Sequence, residues 1–207
     1  SLSSNKGAYC SQRARKESTF RALPIISAFN NFFLMSFQKC IGFLLVVLTG
    51  SCSSSNDPAP EQVDLEVILP NVLLASDGKP ISRETLRGKY VGLYFSAGWC
   101  PPCRAFTPKL IEFRNERSAQ FEVVLVSSDR STEEQQAYVA KYGMPWLALP
   151  NQGEHANKLK ELFGVSGIPA LIVVSPEGKV VSTQGREEVA NQNLAAFDGW
   201  LAKTKGS

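Results

Sequence analysis

The sequence predicts an α/β layer fold, and two observations support this. Strand-like and helix-like runs alternate along most of the 207 residues, and a predicted β-hairpin and helix follow them at the end of the chain. The clearest strand is 121–127, which is nearly continuously apolar, as is typical of a strand buried on both faces. The clearest helix is 104–117, where Phe106, Leu110 and Phe113 recur at helical spacing.

The other elements follow in chain order from apolar runs, turn residues and helix caps. We expect strands over 63–69, 72–75 and 90–96, a short apolar run over 145–149, and a hairpin of strands 170–174 and 179–183. We expect a short helix over 83–86 between Ser82 and Gly88, one from 131 or 132 to 142, and others over 155–163 and 187–203.

The charge of the chain is unevenly distributed. Its formal net charge is +3, but six of its 22 Lys and Arg residues, and only one of its 19 Asp and Glu residues, precede Cys52. From Cys52 onward, 16 basic residues therefore stand against 18 acidic ones, a net charge of −2. The basic character belongs to the N-terminal segment, so we expect no nucleic-acid partner.

The N-terminal segment divides into three predicted parts. Residues 1–34 form an unassigned extension, as expected for upstream sequence translated from a misassigned start, with Met35 as the initiator. Residues 35–52 have a charged start, an apolar run too short to span a bilayer and small residues before Cys52, as in a secretory signal peptide. Residues 53–61 are rich in Ser, Asn, Asp and Pro, which predicts a flexible linker.

The end of this signal peptide resembles the lipobox of bacterial lipoproteins. In a lipobox the cysteine, here Cys52, is lipidated and becomes the new N-terminus, although Thr49 stands where an aliphatic residue is usual. The resemblance implies export and a lipid anchor at the periplasmic face of a bacterial membrane. An ordinary cleaved signal and an uncleaved anchor are the alternatives, and in both of them Cys52 is incidental.

The motif Trp-Cys-Pro-Pro-Cys at 99–103 is the strongest chemical signal in the chain. It follows a predicted strand and opens a predicted helix, so that a cysteine lies at a helix N-terminus. Unpaired backbone N–H groups and the helix dipole favour a thiolate there. In Cys-X-X-Cys motifs the pKa of a cysteine falls from about 8.5 to roughly 3.5–7.5. The motif therefore predicts thiol–disulfide exchange.

The alternatives for such a pair are a permanent disulfide, a zinc half-site and haem attachment. Zinc requires a second pair of ligands, whereas the domain offers only His155 and no second Cys-X-X-Cys. Haem attachment requires a histidine after the second cysteine, where the chain has Arg104. We expect no metal and no cofactor.

Residues 94–110, which include the cysteine pair, resemble the thioredoxin superfamily and most closely its tryparedoxin and nucleoredoxin branch. Three further segments agree with that branch in the same order: 121–129, which ends in Ser-Ser-Asp; 144–150, which begins Met-Pro-Trp; and 164–169, which ends in Ile-Pro. The resemblance covers nearly all of the chain after the linker. It implies a thioredoxin fold, with a mixed central sheet flanked by helices, in a single domain over 62–207.

The resemblance also implies roles for the cysteines. Cys100 is the attacking thiolate and is usually exposed, and Cys103 is the resolving thiol and is usually more buried. The two alternate between a dithiol and a Cys100–Cys103 disulfide through a mixed disulfide on Cys100. Pro101 and Pro102 remove two backbone donors and stiffen the turn between them.

Four further residues are expected at the substrate-docking surface. Pro169 is cis in the superfamily, and it aligns the backbone of Ile168 with an incoming peptide. Trp99 is expected to cover the thiols as an apolar lid, with simple packing as the alternative. Trp146 either flanks the site or packs in the core.

Three polar residues are candidates for supporting the thiol chemistry. Tyr94 stands where ordinary thioredoxins have a buried aspartate that carries protons, so proton transfer must use water, Tyr94 or another group. Asp129 is a candidate proton relay. Arg104 either favours the Cys100 thiolate or is a solvated helix charge.

The sequence therefore predicts a thiol:disulfide oxidoreductase that reduces protein disulfides. Its expected partners are disulfide-containing protein substrates, an upstream thiol reductant or membrane reductase, and the membrane that holds its lipid anchor. A disulfide oxidase or isomerase is the alternative enzyme. A thioredoxin-fold binding module without catalysis is the alternative that is not an enzyme.

Overall fold

The computed structural model describes residues 59–151 and 153–205. Within them the strands are β1 Val72–Leu74, β2 Pro80–Ser82, β3 Tyr90–Ser96, β4 Phe121–Ser127, β5 Leu147–Ala148, β6 Ala170–Val174 and β7 Val180–Ser182. The α-helices there are α1 Leu65–Ile68, α2 Pro101–Glu116, α3 Thr132–Tyr142, α4 Glu154–Leu162, α5 Gly185–Gln192 and α6 Ala195–Lys205, with a 3₁₀ helix at Arg83–Leu86. The predicted extension, signal peptide and most of the linker lie outside the described residues.

The strands form one mixed sheet in the order β2-β1-β5-β4-β3-β6-β7. The neighbours β3, β4 and β5 run parallel, and every other neighbouring pair runs antiparallel. Tyr94 at the centre of β3 pairs with Leu125 of β4 and with Leu171 of β6. The mixed sheet with its flanking helices is the thioredoxin fold, so the predicted fold class is confirmed.

Side chains of the central strands alternate between two hydrophobic cores, one on each face of the sheet. Tyr94 and Leu125 point into the core formed with helices α2, α3, α5 and α6. Leu93 and Val124, their chain neighbours, point into the core formed with α4 and the 3₁₀ helix. Because both faces are covered, the central strands are buried throughout, which explains the continuous apolar run at 121–127.

Helix caps agree with the sequence at two predicted helix starts. The Ser82 hydroxyl accepts a hydrogen bond from the Glu84 N–H at the 3₁₀ helix, and the Ser131 hydroxyl accepts one from the Glu134 N–H at the start of α3, both at 3.2 Å. Each serine satisfies one of the backbone donors that a helix N-terminus leaves unpaired. Of these described helices, none has the length and apolar character that a membrane crossing requires.

The predicted strand over 63–69 is wrong. Alternating apolar residues suggested a strand, but Leu65–Ile68 forms the short helix α1. The Asp64 carboxylate caps this helix by accepting a hydrogen bond from the Glu66 N–H at 2.8 Å. Val67, one of the alternating apolar residues, is 72% exposed and contributes little to the core.

The predicted last helix over 187–203 is also wrong, because it is two helices. α5 ends at Gln192 and α6 begins at Ala195. Between them Asn193 adopts a φ of 48°, which breaks the helical backbone. Its ψ is −128°, so Asn193 lies outside both the right-handed and the left-handed helical regions.

We expect Gly92→Ala in β3 to destabilise the domain by about 1–3 kcal/mol through overpacking. A Cβ on Gly92 would lie 2.7 Å from Phe121 Cζ and 3.1 Å from Leu171 Cδ1. Urea unfolding measures the change. Gly199→Ala in α6 is the matched control, because no atom outside its own helix backbone and chain neighbours lies within 4 Å of the new Cβ. That control should gain about 0.5–1 kcal/mol; a neutral Gly92→Ala would contradict the tight packing.

Candidate active site

The cysteine pair lies at the N-terminus of α2, at the edge of the sheet where β3 and β4 both end. Cys100 is the N-cap residue, and α2 begins at Pro101, three residues before the start that its apolar spacing predicts. Cys100 and Cys103 are joined by a disulfide bond, with their Cα atoms 5.3 Å apart. The predicted arrangement of strand, tight turn and helix is therefore present around the motif.

The two prolines leave this helix N-terminus with few hydrogen-bond donors. Pro101 and Pro102 have no backbone N–H, so the N–H of Cys103 is the first donor in α2. It donates to Cys100 Sγ at 3.3 Å. A hydrogen bond to the sulfur favours the charged form of a thiol, and we expect it to stabilise the Cys100 thiolate once the disulfide is reduced.

Both cysteines are buried, which differs from the expectation of an exposed first cysteine. Cys100 is 3% exposed and Cys103 is 0% exposed. Ala97 and Ile168 pack against them and form a small apolar cluster with the two sulfurs. Only a small part of Cys100 is therefore accessible to a substrate.

The loop before β6 lies beside the disulfide. Its Ile168–Pro169 peptide bond is cis, as the resemblance implies. The carbonyl oxygen of Ile168 lies 3.8 Å from Cys100 Sγ, although the two residues are 68 positions apart in the chain. The antiparallel pairing of β6 with β3 explains this proximity, because it brings the start of β6 to the end of β3.

Two hydrogen bonds tie the loop before the cysteines to the turn after β4. The backbone N–H of Gly98 donates to Asp129 Oδ1 at 2.8 Å, and Trp99 Nε1 donates to the carbonyl of Ser128 at 3.1 Å. Asp129 is 2% exposed, and its Oδ2 accepts a hydrogen bond from the Ser127 hydroxyl at 2.8 Å. The Trp99 side chain itself remains 54% exposed next to Cys100. An exposed aromatic side chain in this position suits contact with a polypeptide.

A cluster of four buried hydroxyl groups lies against the backbone of Cys103, and sequence reasoning found only that of Tyr94. Thr107 Oγ1 donates to the Cys103 carbonyl at 2.9 Å, and Tyr94 Oη donates to the same oxygen at 3.2 Å. Thr107 Oγ1 also lies 3.0 Å from Tyr94 Oη and 2.7 Å from Tyr138 Oη. Tyr138 Oη lies 2.9 Å from Ser96 Oγ. The position of Thr107, one helical turn after Cys103, is the sequence signal that could have revealed this cluster.

Burial raises the pKa of the Tyr94 phenol above its ordinary value of 10.0, and the neighbouring Tyr138 raises it further. Tyr94 therefore remains protonated at neutral pH. It can donate a hydrogen bond to the Cys103 carbonyl, but it does not replace a buried carboxylate as a base. We therefore expect proton transfer at the thiols to use water or another group and not Tyr94.

We expect Tyr94→Phe to reduce the loss of stability at alkaline pH. Because the folded pKa of Tyr94 is raised, its contribution is complete below about pH 10 and declines above it, where the unfolded phenol ionises first. Above about pH 10 the wild type should lose up to about 1.4 kcal/mol more per pH unit than the variant. Urea unfolding at a series of pH values measures both slopes, and parallel slopes would contradict the assignment.

Of the remaining predicted residues, Trp146 is a core residue and Arg104 is a surface residue. Trp146 is 2% exposed and packs edge-to-face on Tyr94, with ring centroids 6.1 Å apart, so core packing is the interpretation that holds. The Arg104 side chain is exposed in the first turn of α2, and its role toward the thiolate stays a prediction. In the described part of the chain no group of three or more His, Cys, Asp or Glu residues is placed to hold a metal ion.

Known proteins resemble this chain in sequence and share its fold. A family model for thioredoxin-like proteins matches residues 88–180. Nucleoredoxin of Mus musculus is 44% identical over 140 residues, which make up 66% of this chain and 32% of the mouse protein. Probable nucleoredoxin 1 of Arabidopsis thaliana is 47% identical over 128 residues, 60% of this chain and 22% of that protein. The solved structure of tryparedoxin from Trypanosoma brucei is 42% identical, with a TM-score of 0.59, and the match covers 66% of this chain and 96% of that one.

A disulfide at the start of the helix that follows a central strand of the thioredoxin fold is typical of proteins that exchange thiols and disulfides. This chain is 42% identical to the Trypanosoma brucei tryparedoxin and covers 96% of its length. It therefore belongs to the thioredoxin-like family, with nucleoredoxins and tryparedoxins as homologues. The family supports thiol–disulfide oxidoreduction as the general activity. The chain spans about a third of the length of the vertebrate nucleoredoxins that it matches.

Proposed function

We propose that the chain is a thiol:disulfide oxidoreductase that reduces disulfides in proteins through the Cys100–Cys103 couple. The observation that carries this proposal is the geometry of Cys100. Its sulfur lies at the N-terminus of α2, accepts the first available helix N–H and faces the carbonyl of Ile168. A helix N-terminus favours a thiolate, and a thiolate is the species that attacks a disulfide.

Reduction proceeds in two exchanges. The Cys100 thiolate attacks one sulfur of the substrate disulfide, which forms a mixed disulfide and releases the other substrate sulfur as a thiolate that takes up a proton. Cys103, once deprotonated, attacks Cys100 Sγ, which breaks the mixed disulfide and releases the second substrate thiol. The two electrons that the substrate gains come from the dithiol, which ends as the Cys100–Cys103 disulfide. An external thiol reductant then restores the dithiol.

The surroundings of the two cysteines support this order of attack. Cys103 is 0% exposed, and its carbonyl is held by the hydroxyls of Thr107 and Tyr94. Cys100 lies at the edge, beside the backbone of Ile168, where an extended substrate segment can approach. These positions support Cys100 as the attacking sulfur and Cys103 as the resolving sulfur.

The test is the reduction of insulin with dithiothreitol as electron donor, followed by turbidity. The wild type should accelerate precipitation over dithiothreitol alone. A variant with both Cys100→Ser and Cys103→Ser should not. Acceleration by that double variant would refute the proposal. No acceleration by the wild type would also refute it, and a partner protein bound equally well by the wild type and the double variant would then favour a binding module whose thiols are incidental.

The direction of electron flow is decided by the reduction potential of the couple. We propose the reductase direction, which requires a potential near that of thioredoxin, about −270 mV. Equilibration of the domain with glutathione buffers of known ratio measures it. A potential near about −120 mV would instead favour the disulfide oxidase or isomerase.

We also propose that the domain works outside the cytoplasm, on a lipid anchor at Cys52 at the periplasmic face of a bacterial membrane. The sequence supports this through the charged start, the short apolar run and the small residues before Cys52. Its partners would then be exported disulfide-containing proteins and a membrane reductase that supplies electrons. Mass analysis of the protein from membrane extracts tests the anchor, and an unmodified Cys52 would refute it.

A further inference from the structure

Two open cavities flank the turn after β4, and Asp129 lines both of them. The first, of about 260 Å³, runs along α3 and is lined by Trp99, Arg130, Glu134, Lys141 and Tyr142 among others. The second, of about 330 Å³, lies against α4 and is lined by Ser128, Asn157 and Lys160 among others. Together they form a surface that we call the β4 rim.

The β4 rim adjoins the disulfide. Asp129 accepts a hydrogen bond from the backbone N–H of Gly98, two residues before Cys100. Trp99, the neighbour of Cys100, forms the wall of the first cavity and is 54% exposed. The rim is therefore within reach of a substrate segment that places its sulfur on Cys100.

The charges of the β4 rim differ from those of the rest of the domain. Arg130 and Lys141 are exposed in the first cavity, and Lys160 is half-buried in the second. Of the two acidic residues that line the cavities, Asp129 is buried. Glu134 is exposed and accepts a hydrogen bond from the Arg130 backbone N–H at 3.0 Å, so one exposed carboxylate stands among three cations.

The exposed groups of the β4 rim are thus mainly cationic. From Cys52 onward the chain has 16 basic and 18 acidic residues. Without the three cations and two acids of the β4 rim, the remainder has 13 basic and 16 acidic residues. A domain with an acidic body therefore presents a basic surface beside its reactive sulfur. Such an asymmetry orients an approaching partner of opposite charge and raises the rate of productive encounter.

We propose that the β4 rim selects acidic substrates: polypeptide segments with Asp or Glu residues beside the disulfide that Cys100 attacks. The substrate carboxylates bind Arg130, Lys141 and Lys160, while an apolar part of the segment packs on the Trp99 ring. This inference rests on the proposed reductase function, and it adds the class of substrate. The chemistry is unchanged, because the dithiol still supplies the two electrons and ends as the Cys100–Cys103 disulfide.

The experiment compares two synthetic peptides that contain the same disulfide loop, one flanked by glutamates and the other by lysines. Steady-state reduction with dithiothreitol as donor gives kcat and KM for each peptide. The wild type should show the lower KM for the acidic peptide. The double variant Arg130→Glu with Lys160→Glu should raise that KM roughly threefold to tenfold and leave kcat within about twofold. The difference should shrink in 0.5 M salt, because screening shortens the range of these charges to a few ångströms.

Lys205→Glu is the matched control, because it is a Lys-to-Glu reversal far from the site. Lys205 is exposed at the end of α6, and its neighbour Thr204 accepts a hydrogen bond from Tyr90 at the opposite end of β3 from the cysteines. The control should keep the wild-type preference for the acidic peptide. Each single variant, Arg130→Glu and Lys160→Glu, is measured as well, so that the result does not depend on the folding of one protein.

The outcomes separate the two proposals. Equal KM values for the two peptides with the wild type, or an equal loss of preference in Lys205→Glu, would overturn the inference and leave the reductase function standing. Reduction of neither peptide, together with no acceleration of insulin reduction, would overturn both.

Discussion

Cys100→Ser is expected to lower the protein-catalysed rate of disulfide reduction by at least about a thousandfold, so that only the reaction with dithiothreitol itself remains. A serine hydroxyl does not ionise near neutral pH, so the helix N-terminus has no anion to stabilise, and no mixed disulfide can form. The Cys103 thiol remains, but it is 0% exposed under the loop that carries Ile168. Insulin reduction and thiol titration of the products measure the loss.

Cys103→Ser is expected to give a different result, which distinguishes the roles of the two sulfurs. Cys100 can still attack, so the mixed disulfide with substrate should form once and accumulate, because no resolving thiol is present. Non-reducing electrophoresis and mass analysis should detect this adduct in Cys103→Ser and not in Cys100→Ser. Ala105→Ser, at an exposed position of the same helix, is the control for a new serine and should retain turnover. Adducts on Cys103 in the Cys100→Ser variant would reverse the assigned roles.

The sequence was sufficient to predict the centre of the fold and the cysteine site. The strands β3 and β4 carry long apolar runs, which predict buried strands. The helix α2 between them carries apolar residues at helical spacing directly after the cysteine motif, so both types of element are clear from the sequence. The cis bond before Pro169 and the position of Ile168 beside Cys100 followed from the resemblance, not from the pattern of residues. Local pattern alone gives no reason for two segments 68 positions apart to meet.

The elements that the sequence analysis missed depend on single residues and not on a periodic pattern. Residues 63–69 have a regular apolar alternation, which predicts a strand. The Asp64 carboxylate instead caps the N-terminus of a short helix within this segment. The break before α6 depends on the positive φ of Asn193, which the helical pattern around it does not reveal. The edge strand β2 begins at Pro80, a residue that usually argues against a strand.

The hydroxyl cluster was missed for a related reason. Ser96, Thr107 and Tyr138 come from a strand and two helices, and each alone is an ordinary residue on a buried face. Only the packing of α2 and α3 on the same face of the sheet brings their hydroxyls to the carbonyl of Cys103. Tyr94 was singled out by comparison with the thioredoxin pattern, and its role changed from candidate proton carrier to buried donor.

Phe113→Ala is expected to cost about 3–5 kcal/mol of stability, the largest effect we predict for a residue outside the cysteines. Phe113 is 0% exposed on α2, and its ring packs edge-to-face against Phe121 at 5.3 Å and Trp200 at 5.4 Å. Truncation would leave a cavity between α2, the sheet and α6, and two aromatic rings would lose their partner. Urea unfolding and thermal melting measure the loss.

Turnover at about 25 °C should nevertheless survive in Phe113→Ala. Phe113 lies nearly three helical turns after Cys103, whereas the start of α2 is held separately by the Cys103 N–H on Cys100 Sγ and by the hydroxyl of Thr107. The cavity therefore weakens the fold without moving the sulfurs. Ile111→Ala, at a half-buried position of the same helix, is the control and should lose less stability, because it removes less buried surface. If turnover in Phe113→Ala fell in proportion to stability, the start of α2 would depend on the aromatic core, and the separate anchoring of the site would be refuted.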